Sequence, residues 1–268
     1  MLFRSNWGRL APQIVYYISA YCDLINAGKL SFGDKMNVCV PTGNFGNIFG
    51  AYIAKKMGLP IGTLVCASNA NNVLTDFFNK GIYDRRRDFH TTISPSMDIL
   101  ISSNLERLLC LAAGSAKTVE YMTKLKTEGV YTVGSEVISA IDKEFKGYFA
   151  SEDDTASTIK ETLEGTNNLI DTHTAVALYA ANKYRAESGD TTTMVVASTA
   201  SPYKFASDVY ASIKGETPAD GLAALDMLTE LTGVEIPYPL KGIADRKVRF
   251  EEVIDAPDMP KKVLEFAK

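Results

Sequence analysis

Short apolar runs alternate with amphipathic stretches through the first third of the chain, and that alternation predicts a parallel α/β sheet. Residues 11–27 read as a helix, with Pro12 in the tolerated first turn and Gly28 placed to end it. Its apolar and aromatic positions (Ile14, Val15, Tyr17, Ile18, Tyr21, Cys22, Ile25) wrap most of the helical surface, which predicts burial. Residues 36–40 form a short apolar run, 41–47 a turn with two glycines, 48–57 a helix ended by Gly58, and 64–67 a second buried strand. Strand, glycine turn, helix, strand is the βαβ pattern of a parallel sheet.

The pattern then changes. Residues 104–149 are mostly helical in composition, with charges at Glu106, Arg107, Lys117, Glu120, Lys124 and Lys126, and the acidic run Ser151-Glu152-Asp153-Asp154 follows. Residues 104–165 therefore read as a helical insertion on the sheet. The sheet pattern returns with a helix over 172–185, a strand over 194–197, a turn over 198–202 and a helix over 203–213. From Gly215 onward several prolines predict a tail packed over the surface, and no internal repeat or low-complexity segment occurs.

Composition narrows the class. Of 268 residues 46% are apolar and 22% charged, and a net charge of -4 is small for this length, which excludes disorder. The absence of a basic run argues against a nucleic-acid or anionic-membrane partner. No stretch approaches the roughly 20 apolar residues of a membrane helix, and Met1 to Pro12 lacks the apolar core of a signal peptide, so a cytoplasmic location is expected. Cys22, Cys39, Cys66 and Cys110 have no CxxC spacing and read as reduced, buried and structural. His90 and His173 are too far apart to suggest a zinc site, and no metal is expected.

The chemistry concentrates in Val40-Pro41-Thr42-Gly43-Asn44-Phe45-Gly46-Asn47, between a strand and a helix. Glycine at 43 and 46 permits a tight turn that exposes consecutive N–H groups, and the helix behind adds unpaired N–H groups and a positive dipole end. Together these make a phosphate cradle that needs no lysine. A strand-to-helix turn using its glycines for geometry alone fits the same spacing. The loop is neither a Walker A sequence nor a dinucleotide fingerprint, because Gly-Lys-Ser/Thr and a third glycine are both absent.

This loop, with Ala54-Lys55-Lys56-Met57-Gly58-Leu59-Pro60 after it, closely resembles the threonine synthase family. The resemblance continues in order through Ala67 to Leu74, Ile93 to Ile99, Ser103 to Arg107, Asp171 to Ala175 and Ala197 to Phe205. It implies an open parallel sheet flanked by helices, part of the tryptophan synthase β-like fold that binds pyridoxal 5′-phosphate. It also implies conversion of O-phospho-L-homoserine and water to L-threonine and phosphate. By resemblance Gly43, Asn44, Phe45, Gly46 and Asn47 hold the cofactor phosphate and Thr199 meets the pyridine nitrogen. A helix cap above Pro202 is the alternative for Thr199. Asn6 and Arg9, in an Asn-Trp-Gly-Arg run, are expected to contact substrate, although Arg4 and Ser5 depart from the family's flanking Ser-Ile.

One departure is large. The family's cofactor lysine, in a Phe-Lys-Asp context, and its Ser/Thr-Gly-Asp-Thr-Gly segment occur nowhere in these residues; Phe145-Lys146-Gly147 is the nearest imitation. The chain thus reads as a C-terminal portion lacking a catalytic lysine, expected to be inactive alone and to partner the missing N-terminal half. The implied organisation is 1–30 as the end of a small domain and connecting helix, 31–103 and 166–268 as the large domain with its tail, and 104–165 as the insertion. A non-catalytic phosphate- or metabolite-binding module is the competing function. Elsewhere, His173 beside Asp171 reads as a capping or bridging histidine ahead of an acid–base one, Arg85-Arg86-Arg87 as a solvated turn, and Ser96, Ser102, Ser103 and Asn104 as helix caps.

Overall fold

The computed structural model describes residues 7–249 and 251–267. Helices α1 (Trp7–Leu10) and α2 (Ile14–Asn26) lead into strand β1 (Met36–Pro41), helix α3 (Gly46–Lys56), strand β2 (Ile61–Ser68) and helix α4 (Val73–Lys80). A short strand β3 (Ile82–Asp84), helix α5 (Leu105–Thr127), strand β4 (Val130–Thr132) and helix α6 (Ser135–Asp142) follow. Strand β5 (Phe145–Phe149), helices α7 (Glu152–Thr166) and α8 (Thr172–Ser188), strand β6 (Thr193–Val196) and helices α9 (Ala206–Lys214) and α10 (Ala223–Thr232) complete one compact unit, Met1–Val234. A second unit, Glu235–Lys268, carries helix α11 (Met259–Phe266).

Four strands form an open sheet in the order β5-β2-β1-β6, parallel throughout. Every residue of β1 is buried, as expected of a central strand covered on both faces. One face packs Met36, Val38, Val40, Leu64 and Cys66 with α3 and α4 residues such as Ile48, Phe49, Leu74 and Phe78. The other packs Cys39, Val65 and Ala67 under α8 through Val176, Ala177, Ala180 and Ala181. From β1 the chain runs outward to β2 and β5, then returns to place β6 on the other side of β1. The connections therefore diverge between β1 and β6, the position where open α/β sheets bind ligands beyond the strand carboxyl ends.

Three expectations change. Residues 104–165 are largely helical, but they also supply β5, which pairs with β2 from Leu64↔Phe145 to Ser68↔Phe149, and β4, which pairs antiparallel with β3. Phe145-Lys146-Gly147 thus lies in the sheet rather than in a charged excursion. Helix α2 buries only Tyr17 and Tyr21 and leaves Val15 and Tyr16 each 61% exposed, so its apolar circumference is not a sign of burial on all sides. Cys39 and Cys66 are buried, whereas Cys22 and Cys110 are exposed, and all four are unbridged. Among the described residues no helix is long and apolar enough to cross a membrane.

Candidate functional site

The loop from Thr42 to Phe45 crosses from the carboxyl end of β1 to the start of α3 at the point where the connections diverge. Thr42 N still donates to Ala67 O at 2.8 Å, extending the ladder by one residue. Phe45 then turns the backbone into the left-handed region at φ 64°, which costs a non-glycine residue about 1–3 kcal/mol. Its ring pays for that: it is 1% exposed and lies 5.9 Å from Phe78 and 5.7 Å from Phe145. Burying such a ring is worth about 3–5 kcal/mol, so packing beneath the loop outweighs the strain.

The loop carbonyls are drawn away from the cleft. Ser102 Oγ donates to Gly43 O at 2.8 Å, and Asn104 reaches Asn44 O twice, through N at 3.1 Å and Nδ2 at 2.8 Å. Tyr17 OH donates to the Asn47 side chain. With the carbonyls held, the N–H groups of Gly43, Asn44, Phe45, Gly46 and Asn47 have no acceptor among the described residues. They stand at the amino end of α3, where partial positive charge collects.

A cleft of about 430 Å³ opens there, lined by this loop and by Arg9, Gln13, Ser96, Asn104, His173 and Thr199. Arg9 brings a positive charge, and no carboxylate or lysine is among the lining residues. Residue Gly43 allows a close approach: a Cβ there would sit 2.7 Å from Ser96 O. Gln13 Nε2 donates to Arg9 O at 2.9 Å, while its Oε1 is buried with no partner among the described residues.

The residues singled out from sequence thus converge: Gly43, Asn44, Phe45, Gly46, Asn47, Arg9 and Thr199 share one cleft. Asn6 lies outside the described residues. Thr199 is exposed just beyond β6, and the cap of the turn above Pro202 is Ser201, whose Oγ accepts from Tyr203 N at 3.3 Å. Of the residues that read as helix caps, Asn104 does stand at the N-cap position of α5, but without a side-chain capping bond; its side chain and that of Ser102 hold the glycine loop. No spacing signal distinguishes a serine that caps from one that reaches a loop some sixty residues earlier.

His173 lies in the cleft wall. Asp171 caps α8, accepting from His173 N at 2.9 Å and Thr174 N at 3.4 Å. Burial pushes the Asp171 carboxyl up, but hydrogen bonds from His173 and Thr174 outweigh it and hold it below the usual carboxylate range. Arg85, Arg86 and Arg87 stay out of the cleft; Arg87 pairs with Asp76 at 2.9 Å and Arg86 with Asp84 at 2.9 Å.

Residues 174–263 match the family model described as threonine synthase, C-terminal. Human threonine synthase-like 1 is 42% identical over 213 residues, covering 78% of this chain and 28% of the relative. Threonine synthase of Saccharomyces cerevisiae is 38% identical over 227 residues, covering 78% of this chain and 43% of the relative. The chain therefore spans less than half the length of either relative. The pyridoxal phosphate-bound threonine synthase of Brucella melitensis superposes with a TM-score of 0.82 at 35% identity, over 97% of this chain and 51% of that one. Fold, ordered motifs and the C-terminal family match agree: threonine synthases and their relatives cover this chain as a C-terminal portion.

Proposed function

We propose that the cleft seats pyridoxal 5′-phosphate and that the chain is the part of a threonine synthase converting O-phospho-L-homoserine and water to L-threonine and phosphate. The observation that carries this reading is the run of five N–H groups from Gly43 to Asn47 that have no acceptor among the described residues, with the loop carbonyls tied behind them. A phosphate dianion fits a concave row of donors at a helix start, where the helix end adds roughly 0.3–1 kcal/mol. Thr199, free of the capping role, offers a neutral hydroxyl to the pyridine nitrogen without forcing that nitrogen to be protonated. Arg9, with a guanidinium suited to bidentate contact, receives the substrate's phosphate or carboxylate, with Asn6 beside it in sequence. When bound, the cofactor supplies an electron sink that eases proton loss from the substrate carbons.

A second reading is a phosphate- or metabolite-binding module without turnover, in keeping with a cleft that no lysine lines among the described residues. An absorbance titration of the purified chain with pyridoxal 5′-phosphate, followed by borohydride reduction and intact mass, separates the two. Saturable binding lost in Gly46→Asp supports the cofactor seat, because a carboxylate at that position repels phosphate. No reduced adduct at any lysine is expected, because among the described residues no lysine lines the cleft. Binding of inorganic phosphate with no saturable pyridoxal 5′-phosphate would favour the module.

A further inference from the structure

Both ends of the cleft meet at a buried node that the seat itself does not require. Ser96 N donates to His173 Nε2 at 3.1 Å, and a backbone N–H can only donate, so Nε2 carries the lone pair. The ring proton therefore sits on Nδ1, 3.1 Å from Asp171 Oδ1, with the side chains of both residues buried. With both nitrogens engaged, His173 has no lone pair left for a substrate proton. It ties the start of α8 to residues 94–98, whose Ser96 carbonyl rests against Gly43.

The same node reaches the opposite wall. Thr174 Oγ1 is within donating reach of both Asp171 Oδ2 and, at 3.0 Å, Ser198 Oγ, so its one hydroxyl hydrogen faces two acceptors that belong to the two sides of the node. Ser198 precedes Thr199, and the His173 ring also lies 4.7 Å from Phe205 beyond that turn. The seat's own N–H groups are set independently, through Ser102, Asn104 and Tyr17.

The geometry points to Asp171, His173 and Thr174 as positioning residues that fix the spacing between the wall over Gly43 and the turn bearing Thr199. The node thus selects a ligand touching both ends over one that fills the phosphate seat alone. This rests on the cofactor reading above, since pyridoxal 5′-phosphate is the two-ended ligand and inorganic phosphate the one-ended probe.

Substitution separates the links. His173→Asn keeps an amide where Nδ1 was and removes the acceptor for Ser96; His173→Gln places an amide oxygen near Nε2 and restores it. In equilibrium titrations of the full chain, His173→Asn is expected to weaken pyridoxal 5′-phosphate about 3- to 10-fold, the worth of one hydrogen bond, and His173→Gln to recover most of that. Inorganic phosphate should bind all three proteins alike. Thr174→Val and Thr174→Ser repeat the comparison at the other wall, and serve if His173→Asn does not fold. Unchanged cofactor affinity in both His173→Asn and Thr174→Val, or equal losses for cofactor and phosphate, overturns the node while leaving the cofactor reading intact. An unsubstituted chain that saturates with phosphate but not with pyridoxal 5′-phosphate overturns the cofactor reading and the node with it.

Discussion

Gly43 and Gly46 stand three residues apart in one loop, yet they answer to different constraints. A methyl group on Gly43 would lie 2.7 Å from the backbone oxygen of Ser96 and 3.3 Å from Met97 Cα, neither of which is a flexible side-chain end. On Gly46 the nearest atom would be Asn104 Nδ2 at 3.6 Å, an ordinary contact. Gly43→Ala is therefore expected to cost about 1–3 kcal/mol by overpacking and to weaken phosphate at least about tenfold as the loop shifts. Gly46→Ala, at a helix start, should change stability by less than about 1 kcal/mol and leave phosphate binding near that of the parent. Thermal unfolding and phosphate titration of the two variants check this, and equal effects would mean that Ser96 does not close over Gly43. The glycines and asparagines of the seat were legible in sequence because tight turns and exposed N–H groups demand particular residue types. The supports were not, because Ser102 and Asn104 act through contacts that only the folded chain creates.

At the scale of elements, strands β1, β2 and β6 and helix α8 were legible, since buried parallel strands read as short apolar runs and α8 as a long helical stretch. Strand β5 was not: Phe145-Lys146-Gly147-Tyr148-Phe149 carries a lysine and a glycine and follows a charged helical region. Gly147 supplies the reason for its composition. A Cβ there would meet Phe78 Cβ at 3.0 Å, Thr75 Cα at 3.0 Å and Thr75 O at 3.1 Å, so α4 lies directly on the strand. Thr75 Oγ1 and Asn79 Nδ2 also donate into this strand, to Tyr148 O at 2.9 Å and Gly147 O at 3.3 Å. Gly147→Ala should cost about 1–3 kcal/mol, lowering the midpoint by several degrees. Unfolding curves that superpose on the parent would show that α4 can move off β5 freely. Because Phe78 and Phe145 also support Phe45, the variant is expected to weaken phosphate binding as well, by less than Gly43→Ala.

Across the whole molecule the two ends of the sheet are built for opposite purposes. At the carboxyl ends, donors around a cleft have no partner among the described residues; at the amino ends, polar groups of β1, β2, α8 and the turn before β6 are satisfied by one another. Asn37 Nδ2 of β1 and Tyr184 OH of α8 each donate to Asp190 Oδ2 at 2.7 Å, while Thr192 N, just before β6, donates to Asp190 Oδ1 at 2.9 Å. Thr63 of β2 joins through Asn37 Oδ1 at 2.7 Å and through Tyr184 OH at 3.1 Å. Bonds from Thr192, Tyr184 and Asn37 hold the Asp190 carboxyl far below the usual carboxylate range. A carboxyl depressed in the folded state stabilises it fully above its unfolded value, near 3.9, and that contribution is lost as pH falls through the folded value. Asp190→Asn is thus expected to lower stability by about 1 kcal/mol at pH 7, a figure discounted for the partial exposure of the side chain. The gap between parent and variant should stay constant above about pH 5 and narrow steadily below about pH 4. Denaturant unfolding across that range measures it directly. A gap that does not change with pH would assign the loss to packing instead of charge, and the sheet's amino end would then owe its order to shape alone.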